Sequence, residues 1–178
     1  MSQIITIKST SNPMQNPLIA KVVVNMSIGK SGEILQNAMT VFQRITNQQP
    51  YPRRAKKTIR EWGITKGTPI ACVGTLRGEK AIDFLKKGFD ALRNKLPKSS
   101  FDSNGNFSFG IREHIELPGV KYDPNLGIFG MDICVTMERP GYRIKKRRKC
   151  KAKVGRRQRL TSSDSMDYIK KVFNIELE

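Results

Sequence analysis

Apolar and polar residues alternate in four segments of the chain, and this alternation predicts β-strands because successive side chains of a strand point to opposite faces. One side of each segment is apolar and the other is mostly polar. A sheet built from such strands packs one face on helices and leaves the other face open. Asn104 and Gly105 are typical of a hairpin turn, which would lead into the third strand. The four predicted strands span residues 18–28, 68–77, 107–112 and 128–137.

Three other segments repeat apolar residues every three or four positions, which predicts amphipathic helices. The first two span residues 33–45 and 79–96. The third is capped by Thr161 or Ser162 and ends near Val172. The predicted order of the elements is strand, helix, strand, helix, two or more strands, helix, without an internal repeat. The predicted fold class is therefore α+β, with helices on one face of the sheet and an exposed opposite face.

The chain is strongly basic, with 33 Lys and Arg against 15 Asp and Glu and a net charge of +18. Residues 139–159 hold twelve Lys or Arg and no acidic residue. A folded core cannot bury such a run, because each unpaired charge would lose several kcal/mol of hydration. A solvated basic tail is the plain interpretation. The turn-forming phrase Pro140-Gly141-Tyr142 instead favours a run that binds a polyanion such as nucleic acid, where neutralised phosphates release counterions.

The length of 178 residues suits one domain that spans residues 1–178. Residues 1–16 contain two Asn-Pro pairs and predict a loose N-terminal leader, and residues 139–178 form a basic C-terminal extension. No signal peptide is recognised, and no apolar run approaches the roughly 20 residues that cross a bilayer. The few, odd-numbered cysteines favour a reducing compartment. A soluble, cytoplasmic protein is expected.

Groups suited to catalysis or metal binding are sparse in the sequence. Cys72, Cys134 and Cys150 form no Cys-x-x-Cys pair, and the single His114 completes no familiar zinc-site spacing. The carboxylates do not cluster as an acid–base pair or a metal site, and no glycine-rich nucleotide-binding loop is present. The acidic neighbours of His114 are expected to pair with nearby cations, which favours a structural histidine. No enzyme activity, metal or cofactor is expected.

Two groups of side chains are candidate nucleic-acid contacts. Hydrogen-bonding and cationic residues on the open sheet face suit sugar and phosphate oxygens, although an ordinary solvated face would look similar. Clustered cations between Tyr51 and Trp62 could reach a partner outside the domain, although a solvated mobile loop fits the same pattern. The face residues are Lys21, Asn25, Ser27, Thr75, Arg77, Ser108 and Arg112, and the loop residues are Arg53, Arg54, Lys56, Lys57 and Arg60.

Five phrases, in order along the chain, resemble a single family. They are VVVNMSIGKSGE (22–33), ITNQQP (45–50), GTPIACVGTLRGEKAIDFL (67–85), FSFGIREHIELPGVKYDP (107–124) and IFGMDICVTMERPGYRI (128–144). Together they resemble the universal large-subunit ribosomal protein that binds 5S rRNA, the ribosomal protein L-five family. The resemblance covers almost the whole chain from Asn12 onward. The RPGYR phrase and the basic extension resemble the archaeal branch most closely.

The resemblance implies an antiparallel sheet whose concave open face binds 5S rRNA. In the family, an Asn of the first strand, a Gln after the first helix and a Thr before the Leu-Arg-Gly phrase contact that RNA. The matching positions are Asn25, Gln48 and Thr75, with Gln49 as the neighbouring alternative to Gln48. The face pattern adds Arg77, Lys21 and Ser27 to the expected 5S rRNA contacts.

The resemblance also implies several further partners. The basic loop of residues 53–60 would approach the elbow of peptidyl-site tRNA. Family members lie in the central protuberance beside other large-subunit proteins and form a bridge to the head of the small subunit. The basic run would lie along 5S or large-subunit rRNA, through Arg139, Arg143, Lys145, Lys146, Arg147, Arg148, Arg156 and Arg157.

The function predicted from the residues and the resemblance is that of a structural RNA-binding constituent of the large ribosomal subunit. Two alternatives use the same basic surface. An RNA-processing enzyme would need a reactive group of side chains, which the sequence does not supply. A nonspecific nucleic-acid-compacting protein would draw most of its affinity from the basic run, and its sheet face would be irrelevant.

Overall fold

The computed structural model describes residues 12–178, so residues 1–11 of the predicted leader lie outside the described residues. The remainder of the leader contains one turn of 3-10 helix at Pro13–Gln15. The side-chain oxygen of Asn12 caps this turn by accepting a hydrogen bond from the backbone N–H of Met14 at 3.0 Å. The chain therefore has regular local structure immediately before its first strand.

The main sheet is antiparallel and is built from β1 (Leu18–Ser27), β2 (Tyr51–Arg54), β3 (Pro69–Leu76), β5 (Phe107–Ile111) and β6 (Met131–Glu138). Its strand order is β2-β3-β1-β6-β5, which puts the long strand β1 at the centre. Two short strands, β4 (Lys95–Leu96) and β7 (Glu176–Leu177), pair in parallel as a separate small sheet. The antiparallel sheet expected from the resemblance is confirmed.

Four α-helices accompany the sheet: α1 (Glu33–Thr46), α2 (Glu79–Ala91), α3 (Arg143–Lys146) and α4 (Ser162–Phe173). The first two pack their apolar stripes against the sheet, with α1 over β3 and α2 over β1. Both helices are amphipathic, so burying one stripe leaves their charged residues in solvent. The predicted α+β class is confirmed.

The core lies between the sheet and these helices. Val22 and Val24 of β1 are completely buried and belong to one apolar cluster with Phe42 of α1 and Phe89 of α2. A side chain at Gly74 in β3 would overlap the ring of Phe42, so this strand position must lack a Cβ for α1 to approach so closely. The apolar face predicted from alternation in β1 is therefore the face that the helices cover.

The basic extension ends in a helix that belongs to this core. Thr161 caps α4: its hydroxyl accepts from the backbone N–H of Asp164 at 3.4 Å, and the Asp164 carboxylate accepts from the Thr161 N–H at 3.2 Å. Ile169 is completely buried, and the ring of Phe173 meets that of Phe89 edge-on with centroids 5.1 Å apart. The third predicted helix is confirmed, with Thr161 as its cap.

The sequence prediction missed strand β2 and placed the end of α2 incorrectly. The helix was predicted to reach Leu96 but ends at Ala91, because Arg93 and Asn94 adopt positive φ angles of 55° and 58°. Leu96 is buried nonetheless, since β4 carries it into the core. The last strand of the main sheet begins at Met131, three residues later than predicted.

The predicted hairpin turn is present at Asn104 and Gly105. The N–H of Gly105 donates to the carbonyl of Asp102 at 2.9 Å, and the N–H of Asp102 donates to the carbonyl of Asn106 at 2.7 Å. Gly105 has a φ of +75°, which a residue without a Cβ adopts freely. The turn leads directly into β5.

Candidate nucleic-acid interface

The strand register places several predicted contact residues on the open face of the sheet. Asn25 lies between Val73 of β3 and Asp132 of β6, and directly paired residues face the same side of a sheet. In the next row of the sheet, Val23 lies between Thr75 and Cys134. Asn25 and Thr75 are therefore in adjacent rows and on one face, opposite to the helices.

The other predicted face residues surround this centre. Lys21 pairs with Thr136 beside an irregularity in β1, Ser27 pairs with Ala71, and Ser108 pairs with Cys134. Arg77 lies one residue past β3, and its Nη1 donates to the carbonyl of Ala20 at 3.4 Å. Arg112 follows β5 and is exposed. All seven residues predicted for the open face thus lie on it or at its margin.

Gln48 occupies the loop that joins α1 to β2. Thr46 Oγ1 donates to the backbone carbonyl of Gln48 at 3.3 Å, and Gln48 is half-buried beside the exposed Gln49. Because β2 runs antiparallel to β3 and Tyr51 pairs with Val73, the residues before Tyr51 approach the end of β3 that carries Thr75. This loop borders the open face at its β2 edge.

Asp132 and Tyr51 lie on the open face but were absent from the set of seven residues predicted for it. Asp132 pairs with Asn25 on one side and with Gly110 on the other, so it lies on the open face near the start of β6, between β1 and β5. Tyr51 of β2 pairs with Val73 and is 67% exposed. Alternation along the last predicted strand did put Asp132 on its polar side, and this was the signal that could have identified it.

The basic segment after α1 is only partly a loop. Arg53 and Arg54 belong to β2, and Arg53 pairs with Ala71 at the edge of the sheet, so the prediction of a loop at these two positions was wrong. Four residues are too few to show alternation, and Pro52 argues against a strand at a central position. An edge strand tolerates this proline, which explains why the strand was missed.

The rest of the segment is held by backbone hydrogen bonds. Ala55 N–H donates to the carbonyl of Thr68 at 2.8 Å, and the N–H groups of Ile59 and Ile64 each donate to the other residue's carbonyl at 2.8 and 3.0 Å. Trp62 is 70% exposed near the tip. Three exposed cations lie on this hydrogen-bonded backbone: Lys56, Lys57 and Arg60. None of them forms an ion pair within the described residues.

Arg139, at the start of the basic run, is directed into the protein. Its Nη2 donates to the Asp164 carboxylate at 2.9 Å, and Nη1 donates to the carbonyls of Arg157 and Arg159 at 3.4 and 3.3 Å. Only 13% of its side chain is exposed. One guanidinium thus joins β6, the extension and the first turn of α4, which makes Arg139 a positioning residue.

A second set of contacts fixes the same extension. Tyr142 Oη donates to the carbonyl of Gln158 at 3.0 Å and accepts from the N–H of Leu160 at 2.8 Å. Gln158 Nε2 in turn donates to the carbonyl of Met14 at 2.8 Å. Val154 and Leu160 are buried. These contacts and buried side chains hold the basic run against the domain.

Most other cations of the run point outward. Lys146 pairs with Glu138 at 2.6 Å, and Arg147 Nε donates to the carbonyl of Cys150 at 2.8 Å. The remaining predicted backbone contacts are exposed and form no ion pair within residues 12–178: Arg143, Lys145, Arg148, Arg156 and Arg157. Their charge is available to an external polyanion.

His114 has a structural role, as predicted. It is 2% exposed, its Nδ1 accepts from the N–H of Phe129 at 3.2 Å, and its backbone N–H donates to the carbonyl of Phe129 at 2.9 Å. Burial lowers the pKa of the ring below its ordinary value near 6.5. Its acidic neighbours, Glu113 and Glu116, form no ion pair with another described residue, contrary to expectation.

The cysteines are free thiols. Cys72 lies in the core, and burial raises its pKa to about 11, while Cys134 and Cys150 are exposed. Between residues 12 and 178, no three His, Cys, Asp or Glu side chains are grouped as a metal site would require. Within the same range, no helix is both long enough and apolar enough to span a bilayer.

Comparison with known proteins connects this surface to a family. A family model described as ribosomal protein L5 matches residues 12–64, and a second model, described as the C-terminus of the same ribosomal family, matches residues 69–168. Among curated relatives, the "large ribosomal subunit protein uL5" of Aeropyrum pernix is 50% identical over 92% of this chain and 86% of its own length. Proteins of the same name from Pyrobaculum aerophilum and Methanosphaera stadtmanae are 46% and 48% identical over 94% of this chain, covering 93% and 99% of their own lengths.

Proposed function

The chain belongs to the ribosomal protein L5 family, and on that premise we propose that it binds 5S rRNA through the open face of its sheet. Membership makes it a structural constituent of the large ribosomal subunit in the cytoplasm, and not an enzyme. Its partners are accordingly ribosomal RNA and ribosomal proteins. The open face and the cations around it are the surfaces that we assign to the RNA.

The observation that carries this proposal is the position of Asn25 and Thr75 in adjacent rows of the uncovered face. Asn25 Nδ2 donates to Ser27 Oγ at 2.9 Å, which orients the amide on that face. Gln48 approaches from the neighbouring loop, and Lys21 and Arg77 supply cations at the margin. Such a set suits the 2′-hydroxyls, phosphates and exposed base edges of a folded RNA.

The basic segment after α1 is proposed to contact peptidyl-site tRNA. Its scaffold of paired backbone holds Lys56, Lys57 and Arg60 clear of the domain, and Arg53 and Arg54 precede them on β2. Exposed cations without internal partners retain their full attraction for phosphate. With this assignment the protein lies in the central protuberance, where it touches neighbouring large-subunit proteins and helps to bridge to the head of the small subunit.

The basic extension is proposed to lie along the backbone of 5S or large-subunit rRNA. Its outward cations are Arg143, Lys145, Arg148, Arg156 and Arg157, with Lys146 and Arg147 beside them. Arg139 is the exception among the predicted contacts, because its guanidinium holds the extension in place.

The experiment that tests this function is a binding competition. Purified protein is titrated with labelled 5S rRNA in the presence of tRNA or duplex DNA of similar length, across a series of salt concentrations. The proposal predicts a preference for 5S rRNA that persists as salt rises, because the sheet face recognises shape in addition to charge. Equal binding to all three polyanions, lost together at high salt, would support the nonspecific alternative and contradict the proposal.

A further inference from the structure

An acidic side chain lies on the surface that is otherwise suited to RNA. Asp132 of β6 is exposed and pairs in register with Asn25. It forms no ion pair with any other residue between 12 and 178. A carboxylate repels phosphate, so its position on this face calls for a partner that donates hydrogen bonds.

The surroundings of Asp132 form a shallow recess of about 450 Å³. Gly110 and Gly130 contribute backbone without side chains, and Ser27 and Arg112 complete the rim. A Cβ at Gly110 would lie 3.7 Å from Asp132 Oδ1, so the carboxylate leans over this glycine. The volume of the recess exceeds that of one nucleobase, and the carboxylate of Asp132 is part of its lining.

Two further groups define what the recess can bind. Arg112 lines it together with Asp132, yet the two form no ion pair, so the guanidinium remains available to a phosphate or sugar oxygen. Asn25 pairs in register with Asp132 but does not line the recess; its Nδ2 donates to Ser27 Oγ, and its Oδ1 remains an acceptor on the same face. The recess therefore combines the two adjacent acceptor oxygens of the Asp132 carboxylate with the cation of Arg112.

Only one standard RNA base carries two adjacent hydrogen-bond donors on its Watson–Crick edge, as two adjacent acceptors of a protein require. Guanine offers two neighbouring donors, N1–H and the N2 amino group. Adenine and cytosine place their amino group beside an acceptor nitrogen, and uracil places its single N–H between two carbonyls. An ionised carboxylate accepts through both oxygens and donates nothing, so it favours guanine over the other three bases.

We propose that Asp132 and the recess around it bind the Watson–Crick edge of an unpaired guanine in the ribosomal RNA, with Arg112 on the backbone of the same nucleotide. This inference rests on the proposed function and makes the open face a reader of base identity as well as shape. Unpaired nucleotides present this edge to proteins, whereas paired ones do not.

Two single substitutions that remove the same charge from different surfaces should affect RNA binding differently. Asp132→Asn removes one negative charge from the face, and Asp90→Asn removes one from the exposed side of α2. If Asp132 only repelled RNA, its replacement would tighten binding to 5S rRNA. The guanine site instead predicts that Asp132→Asn weakens binding roughly tenfold, the loss expected for a two-point base contact, while Asp90→Asn does not. Unchanged or tighter binding by Asp132→Asn overturns the inference.

Chemical probing identifies the base directly. Kethoxal modifies N1 and N2 of unpaired guanines, so one guanine of 5S rRNA should be protected by the wild-type protein and become reactive with Asp132→Asn. Replacing that guanine by inosine, which lacks the N2 amino group, should weaken the wild type but affect Asp132→Asn little. Absence of any such guanine contradicts the site.

Failure of the site and failure of the proposed function are distinguishable in these experiments. If the wild type shows no preference for 5S rRNA, the proposed function fails, and the comparison of Asp132→Asn with Asp90→Asn is then made on the ribosomal RNA that the protein does bind. If the preference holds but Asp132→Asn binds normally, only the guanine site fails. Both side chains are exposed, so neither substitution is expected to disturb folding.

Discussion

At the scale of single residues, His114 is the clearest case of a reactive group used for structure. The ring is buried, and its Nδ1 accepts a hydrogen bond from a backbone N–H, which requires the neutral imidazole. Burial is the main cause that lowers its pKa, and the backbone of Phe129 and the charge of the nearby Glu113 partly offset this effect. The folded state therefore binds a proton at His114 less readily than the unfolded state does.

This difference predicts how stability depends on pH. The contribution is fully present above the unfolded pKa, near 6.5, and is lost as the pH falls towards the lower folded pKa, because the unfolded chain takes up the proton first. The free energy of unfolding, measured with denaturant, should therefore decrease between about pH 7 and pH 5. His114→Gln keeps a hydrogen-bond acceptor but does not titrate, so the free energy of unfolding of this variant should depend less steeply on pH. Identical slopes for the two proteins would contradict this role.

Some residues of the candidate site could be predicted from the sequence and others could not, because some positions depend on local pattern and others on long-range strand pairing. Alternation within a strand is a local property, and it placed Asn25 and Thr75 on the open face correctly. The pairing of Asn25 with Asp132 joins strands that are far apart in the sequence, and local pattern does not give that register. The position of Asp132 beside Asn25 was therefore known only from the folded structure.

At the scale of elements, the long periodic segments were predictable and the short ones were not. The helices α1 and α4 and the strand β1 match their predicted positions within one or two residues. Strand β2 was missed because it forms by pairing with β3. The end of α2 was misplaced because the chain turns at Arg93 and Asn94, where the carbonyl of Asn94 accepts from the distant Glu176 N–H at 2.8 Å. The burial of Leu96 was predicted, while its backbone conformation was not.

Arg139 attaches the basic extension to the rest of the domain. Arg139→Ala removes an ion pair to Asp164 and two hydrogen bonds to backbone carbonyls, so the segment of residues 155–162 should open more often. We expect faster amide hydrogen exchange in that segment and a loss of about 1–3 kcal/mol in the free energy of unfolding.

Arg143→Ala is the matched control for this substitution. Arg143 is exposed and forms no ion pair within the described part of the chain, so its replacement should leave both measurements near the wild-type values. Equal hydrogen exchange in the two variants would show that Arg139 does not position the extension.

At the scale of the whole molecule, the net charge of +18 is divided between two surfaces with different proposed partners. The basic segment projects from the β2 edge, and the extension follows β6 and lies against the domain through Tyr142 and Leu160. That residues 1–178 form a single domain stays a prediction. The buried cluster that includes residues from β1, α2 and α4 is consistent with it for the described residues.

Matched removal of four cations from either surface should separate their roles. Glutamine at Lys145, Arg148, Arg156 and Arg157 should flatten the salt dependence of ribosomal RNA binding, by roughly 0.7–0.9 in the log–log slope for each phosphate that is no longer neutralised. Glutamine at Arg54, Lys56, Lys57 and Arg60 should leave that slope nearly unchanged but reduce crosslinking to peptidyl-site tRNA in reconstituted ribosomes. If both sets change both measurements equally, the division of roles is wrong.

The most direct test of the central claim compares two double variants in 5S rRNA binding. Asn25→Ala with Thr75→Ala changes the open face, and Asn37→Ala with Thr40→Ala makes the same chemical changes on α1, in the opposite layer. If the open face binds 5S rRNA, the first pair should lose about 1 kcal/mol of binding free energy for each hydrogen bond, and the second pair should bind normally. Wild-type affinity in a folded Asn25→Ala, Thr75→Ala protein would contradict the account.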